Sequence, residues 1–77
     1  MNSEPAPVQV QGFQVSYELV RRKHLLAAGL KVPAYDAYHK VWVVSRQDGQ
    51  GQWRPSRYFL EQAEAMGFAE GGGKDED

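Results

Sequence analysis

The sequence predicts a small single α+β domain over residues 8–68, and three observations carry that prediction. Val8 and Val10, then Phe13, Val15 and Tyr17, alternate with Gln9, Gln11, Gln14 and Ser16. A period of two is the pattern of a strand with one buried face. Two later stretches carry apolar residues at helical spacing, and each ends on a glycine, Gly29 and Gly67, as a helix closed by a left-handed residue does. Between them Asp48-Gly49 separates two tryptophan-bearing runs, a strong short-range hairpin signal. The expected order is N-terminal strand, helix, short helix, β-hairpin and C-terminal helix.

In the first strand the alternation changes phase at Gly12, which calls for a bulge or a turn. Ser16 is a suitable N-cap for a helix over 17–28. That helix would put Tyr17, Val20, His24, Ala27 and Ala28 on one side and pair Glu18 with Arg22 at i,i+4. Gly29 supplies its left-handed end, with Leu30 folding back on Leu26. Val32-Pro33 breaks the chain, and Pro33 suits the first position of a short helix over 34–39. Residues 41–45 form the strongest strand, apolar on both faces. Arg46 to Gly51 make the turn, and Gln52-Trp53-Arg54 return as a short strand ended by Pro55. Ser56 then caps a final helix over 57–66, closed by Gly67 and followed by Phe68. Residues 1–7, with two prolines and no apolar pattern, read as a disordered lead-in. Residues 69–77, with three consecutive glycines and a run of acids, read as a flexible acidic tail.

Size and composition exclude much. A chain of 77 residues buries only about 60% of its unfolded surface, which leaves little space for an enclosed pocket. With no cysteine there is no disulfide, thiolate chemistry or cysteine zinc site. Apolar runs fall far short of the roughly 20 residues a membrane span needs, and the N-terminus lacks a signal-peptide pattern. A soluble, cytoplasmic protein is expected. His24, His39 and four serines show no nucleophile, base and orienter arrangement. His24 falls on the core side of its helix, where a satisfied histidine is the plainer reading. Asp36 and His39 are two ligands at i,i+3 without a third, and Gly49-x-Gly51 lacks the rest of a phosphate loop. The expectation is a monomer with no catalysis, cofactor, metal or small-molecule substrate.

Charge is sorted along the chain. Residues 19–57 hold eight of the nine Lys and Arg against two acids, a net of +6, while the whole chain is −1. A positive body with a negative end points to an anionic partner or to a tail that competes with one. Within the body, Arg21, Arg22 and Lys23 form a basic cluster predicted to sit on one helix. A solvated helix face explains such a cluster as readily as a phosphate-facing or acidic-protein-facing patch does. Trp53 beside Arg54 is an anchor-type pair, since Trp, Tyr and Arg dominate interface energetics, although core packing claims at least one of Trp42 and Trp53. Val8 and Val10, on a strand after an unstructured lead-in, mark a sheet edge that could accept a partner's strand.

Small size, the lack of an enzyme signature, the open N-terminal strand and the basic segment give residues 8–57 the general character of small phage-encoded regulators that bind host RNA polymerase. That resemblance implies a transcription regulator that occupies a surface of a large protein partner and blocks or redirects it. It assigns no residue roles. The alternative is a DNA-binding domain of winged-helix or excisionase type, suggested by a hairpin flanked by Arg46 and Arg54. Against it stand the near-neutral total charge and a hairpin tip of Gln and Gly with no lysine pair.

Overall fold

The computed structural model describes residues 5–73 and is α+β: a four-stranded antiparallel sheet with one helix on each face. In chain order the elements are β1 (Val8–Val10), β2 (Phe13–Arg21), α1 (Arg22–Ala27), β3 (Tyr38–Gln47), β4 (Trp53–Phe59) and α2 (Gln62–Glu70). The sheet order is β1-β2-β3-β4, so every strand pairs with its sequence neighbour. Val10 pairs with Phe13 across a two-residue turn in which Gln11 and Gly12 both have positive φ, 50° and 83°. That is the turn whose twist matches the flanking strands, and it accounts for the phase change at Gly12.

Register sorts the side chains onto two faces. The first face carries Val10, Phe13, Val15, Trp42, Val44 and Phe59, against which α2 packs Ala65, Met66, Phe68 and Ala69. The second carries Val20, Val41, Val43 and Tyr58, covered by Leu25 of α1 and by Leu30 and Val32 of the loop after it. The two clusters lie on opposite faces and overlap along β3 and β4, where Trp42 and Val44 alternate with Val41 and Val43; along β2 they are offset, Phe13 and Val15 against Val20. On the first face the stretch beyond Tyr17 and Trp42, with Leu19, Arg21, Tyr38 and Lys40, is left exposed.

Several expectations are corrected. The chain stays extended through Arg21, so no helix spans 17–28. Ser16 is buried mid-strand and donates to the Glu18 carboxylate, so it caps nothing and Glu18 forms no helical pair with Arg22. Nine consecutive β2–β3 pairs, from Phe13↔Arg46 to Arg21↔Tyr38, outweigh the local helical spacing, because ladder bonds and cross-strand packing add up along the whole strand. For the same reason residues 38–39 begin β3, and the short helix expected over 34–39 is a loop with one turn. Pro55 does not end β4. It lies on an edge strand, where its missing N–H costs no ladder bond, beside a bulge at Val44/Ser45. Ser56 through Phe59 are strand, and the last helix starts at Gln62.

The helix ends divide the same way. Gly29 has φ +87°, and Leu30 N–H donates to Leu25 O at 2.9 Å while Gly29 N–H donates to Leu26 O at 3.0 Å. This is the expected closing motif, and Leu30 packs against the cluster of Leu25, Val41 and Val43. Gly67 is inside α2. That helix closes at Gly72 (φ +78°) and Gly73 (φ +81°), which donate to Ala69 O and Phe68 O. The stretch read as a tail from residue 69 thus begins within a helix and its cap. Residues 1–4 of the lead-in and 74–77 of the tail lie outside the described residues. Gly29→Ala is expected to lower stability by about 1 kcal/mol, since a Cβ is penalised at that φ. Gly67→Ala should raise stability by up to about 1 kcal/mol, because Ala is the better residue inside a helix and a Cβ there meets nothing within 4 Å. Thermal melts of both variants check this, and equal losses would refute the placement of Gly67.

Candidate functional site

Beyond the α2 cluster the first face is built by the far ends of β2 and β3. Three cross-strand pairs succeed one another there: Tyr17↔Trp42, both half-buried and with Trp42 also packed on that cluster, then the exposed pairs Leu19↔Lys40 and Arg21↔Tyr38. Same-face pairs repeat about every 7 Å along a strand, so the three form a short ladder of rings and cations. Tyr17 and Trp42 lie with ring centroids 4.8 Å apart, tilted at 39°. The Lys40 ammonium sits 5.6 Å above the Tyr17 ring, and the Arg21 guanidinium 5.7 Å above that of Tyr38. Cations over ring faces at this range are attracted by the ring quadrupole. Leu19 is 58% exposed and Tyr38 45%, more than such side chains show when a fold needs them only for its core.

At the end of the ladder the chain turns from β2 into α1. A hydrogen bond of 2.7 Å from Arg22 N–H to Ala37 O ties this corner to the start of β3. Arg21, Arg22, Lys23, Ala37 and Tyr38 line an open pocket there of about 260 Å³. The three expected cations are thus together, but Arg21 belongs to a strand and only Arg22 and Lys23 to the helix. They are held by a corner and not spread along one helical face. Tyr38 and Arg21 belong both to the ladder and to the pocket, which makes the two features one surface.

The other expected residues are elsewhere. Arg54 pairs with Arg46 at the opposite end of β3, about 27 Å from Tyr38 by strand length. Its guanidinium Nε donates to Asp48 Oδ2 at 2.6 Å. Asp48 Oδ1 also accepts from the backbone N–H of Gln50 and Gln52. The bond from Arg54, then those two N–H groups, hold the Asp48 carboxyl below its ordinary pKa. Arg54 is therefore committed to shaping the hairpin. Trp53 pairs with Gln47 on the second face, half-buried, with its back to Trp42. Val8 and Val10 lie on β1, an edge of the sheet, with their side chains on the α2-covered face. Val8 is 45% exposed and Val10 packs onto the core. The partner-binding set of the sequence is thus dispersed over three places.

Sequence reading missed Tyr17, Leu19, Tyr38, Lys40 and Trp42 as one surface. The signal that finds them is the alternation Tyr38, Lys40, Trp42, Val44, once it is set against Phe13, Val15, Tyr17, Leu19. His24 is exposed on α1 and not turned to the core, and His39 Nε2 lies 3.0 Å from Pro33 O, to which it donates. Among the described residues no three His, Cys, Asp or Glu side chains gather as a metal site, and no helix is long and apolar enough to cross a membrane. The two helices lie on opposite faces with the hairpin between them in sequence, so they do not form a helix-turn-helix. The fold and surface define a meander sheet with one helix on each face, presenting one basic, aromatic quadrant. The chain matches no protein-family model, no curated protein and no solved structure with which it was compared.

Proposed function

We propose that this protein is a non-enzymatic nucleic-acid-binding module whose contact surface is the quadrant formed by the ends of β2 and β3 and the β2–α1 corner. The observation that carries this reading is the grouping of Arg21, Arg22 and Lys23 around one open pocket, beside the exposed ring of Tyr38 and the half-buried ring of Tyr17, each topped by a cation. Phosphates supply the counter-charge and bases supply faces for the rings. Acidic Glu61, Glu64 and Glu70 sit on or beside α2, and none of them lines the pocket of Arg21, Arg22 and Lys23. A regulator of this kind acts by occupancy.

The test is fluorescence anisotropy with short labelled oligonucleotides over a range of salt. Binding is expected to weaken steeply as salt rises, and each of Arg21→Ala, Arg22→Ala and Lys23→Ala should flatten the log–log slope by about one unit. Circular dichroism should stay unchanged, since none of the three is buried. No binding to any oligonucleotide at low salt would overturn the reading. A large protein partner of the transcription machinery is the second reading, favoured by one feature: β1 is a three-residue edge strand with an exposed Val8, to which a partner's strand could add. That reading predicts that Val8→Glu abolishes a complex which the three alanine variants leave intact.

A further inference from the structure

Resting on that reading, we propose that the surface selects single-stranded nucleic acid, stacking unpaired bases on Tyr17, Trp42 and Tyr38 while Arg21, Arg22 and Lys23 hold the phosphates. A duplex buries the faces of its bases inside the stack and offers an outside reader only groove edges and backbone. Edge readers carry projecting side chains on an element that enters the major groove. Here α1 has six residues, and the second helix is acidic and packed on the buried cluster of the first face. What the quadrant offers is ring faces on a sheet, and a ring face contributes binding chiefly to a base whose own face is free.

The arrangement also sets the size of the site. Tyr17 and Trp42, 4.8 Å apart, form one platform. Tyr38 forms a second, two ladder steps and hence about 14 Å along the strands. Leu19 and the Lys40 stem lie between them, an apolar saddle with a charge at its rim. That length suits two or three bases, with the backbone running off the Tyr38 end into the pocket of Arg21, Arg22 and Lys23. Because stacking tolerates every base, sequence preference should be weak. Trp53 faces the other way and takes no part.

The experiment uses the full chain carrying Trp53→Phe, so that the remaining tryptophan, Trp42, reports alone. It is titrated with an oligonucleotide as a single strand and with the same sequence as a blunt duplex. The expected result is quenching of Trp42 by the single strand at concentrations at which the duplex leaves it unchanged. Tyr38→Ala should weaken single-strand binding roughly tenfold, and Tyr17→Leu, which keeps the apolar volume, by a similar factor, with the salt slope of the parent retained. If the duplex binds as tightly as the single strand, or if both tyrosine variants bind like the parent, base stacking is refuted while nucleic-acid binding stands. If neither form binds, both readings fall.

Discussion

Leu25→Ala is expected to cost about 3 kcal/mol, within the range for emptying a leucine site that cannot collapse. Leu25 is fully buried, and Val41 and Val43 of β3 are its buried neighbours. With Val20, Leu30, Val32 and Tyr58 it makes the entire cluster on the second face, so no second layer can move in to fill the void. A domain of this size has on the order of 5 kcal/mol in total. The variant should lose more than half of the parent's stability, read as a lower urea midpoint at an unchanged slope. A midpoint within experimental error of the parent's would mean that α1 contributes nothing to the core.

The second large effect lies where the sequence suggests nothing. Gly73→Ala is expected to cost about 2 kcal/mol, the sum of a left-handed backbone position and an overpacked contact. A Cβ on Gly73 would stand 2.5 Å from Phe13 Cζ. The ring cannot swing aside, because Phe13 is buried and Phe68 packs against its edge at 5.9 Å. Gly72→Ala separates the two causes. Gly72 has φ +78° but a Cβ there meets nothing within 4 Å, so it should lose only about 1 kcal/mol. Equal melting temperatures for the two variants would show that the Phe13 contact is not tight.

What was legible in the sequence follows the range of the interactions that decide each element. The turn at Gly12, the Asp48 hairpin and the left-handed Gly29 depend on a few adjacent residues, and all were readable. The identity of residues 17–21 depends on residues 38–42, which lie across a loop and a helix. Tyr17, Val20 and His24 fit a helical spacing, and Tyr17 and Leu19 fit a strand equally well. Only the partner strand decides between the two patterns. Pro55 and Gly67 misled for a related reason: each is a breaker by itself, yet an edge strand tolerates the one and a packed helix the other. The candidate surface inherits this limit. Its cations were visible as Arg21-Arg22-Lys23, but its rings come together only through the β2–β3 register.

Val43 and Val44 are consecutive in the chain, fully or almost fully buried, and members of different clusters. The strand they share is a party wall, with each small core leaning on one side of it. Among the described residues, five buried side chains make up one core and three the other. Val43, in the cluster under α1, is flanked in the chain by Trp42 of the ladder and by Val44 of the other core.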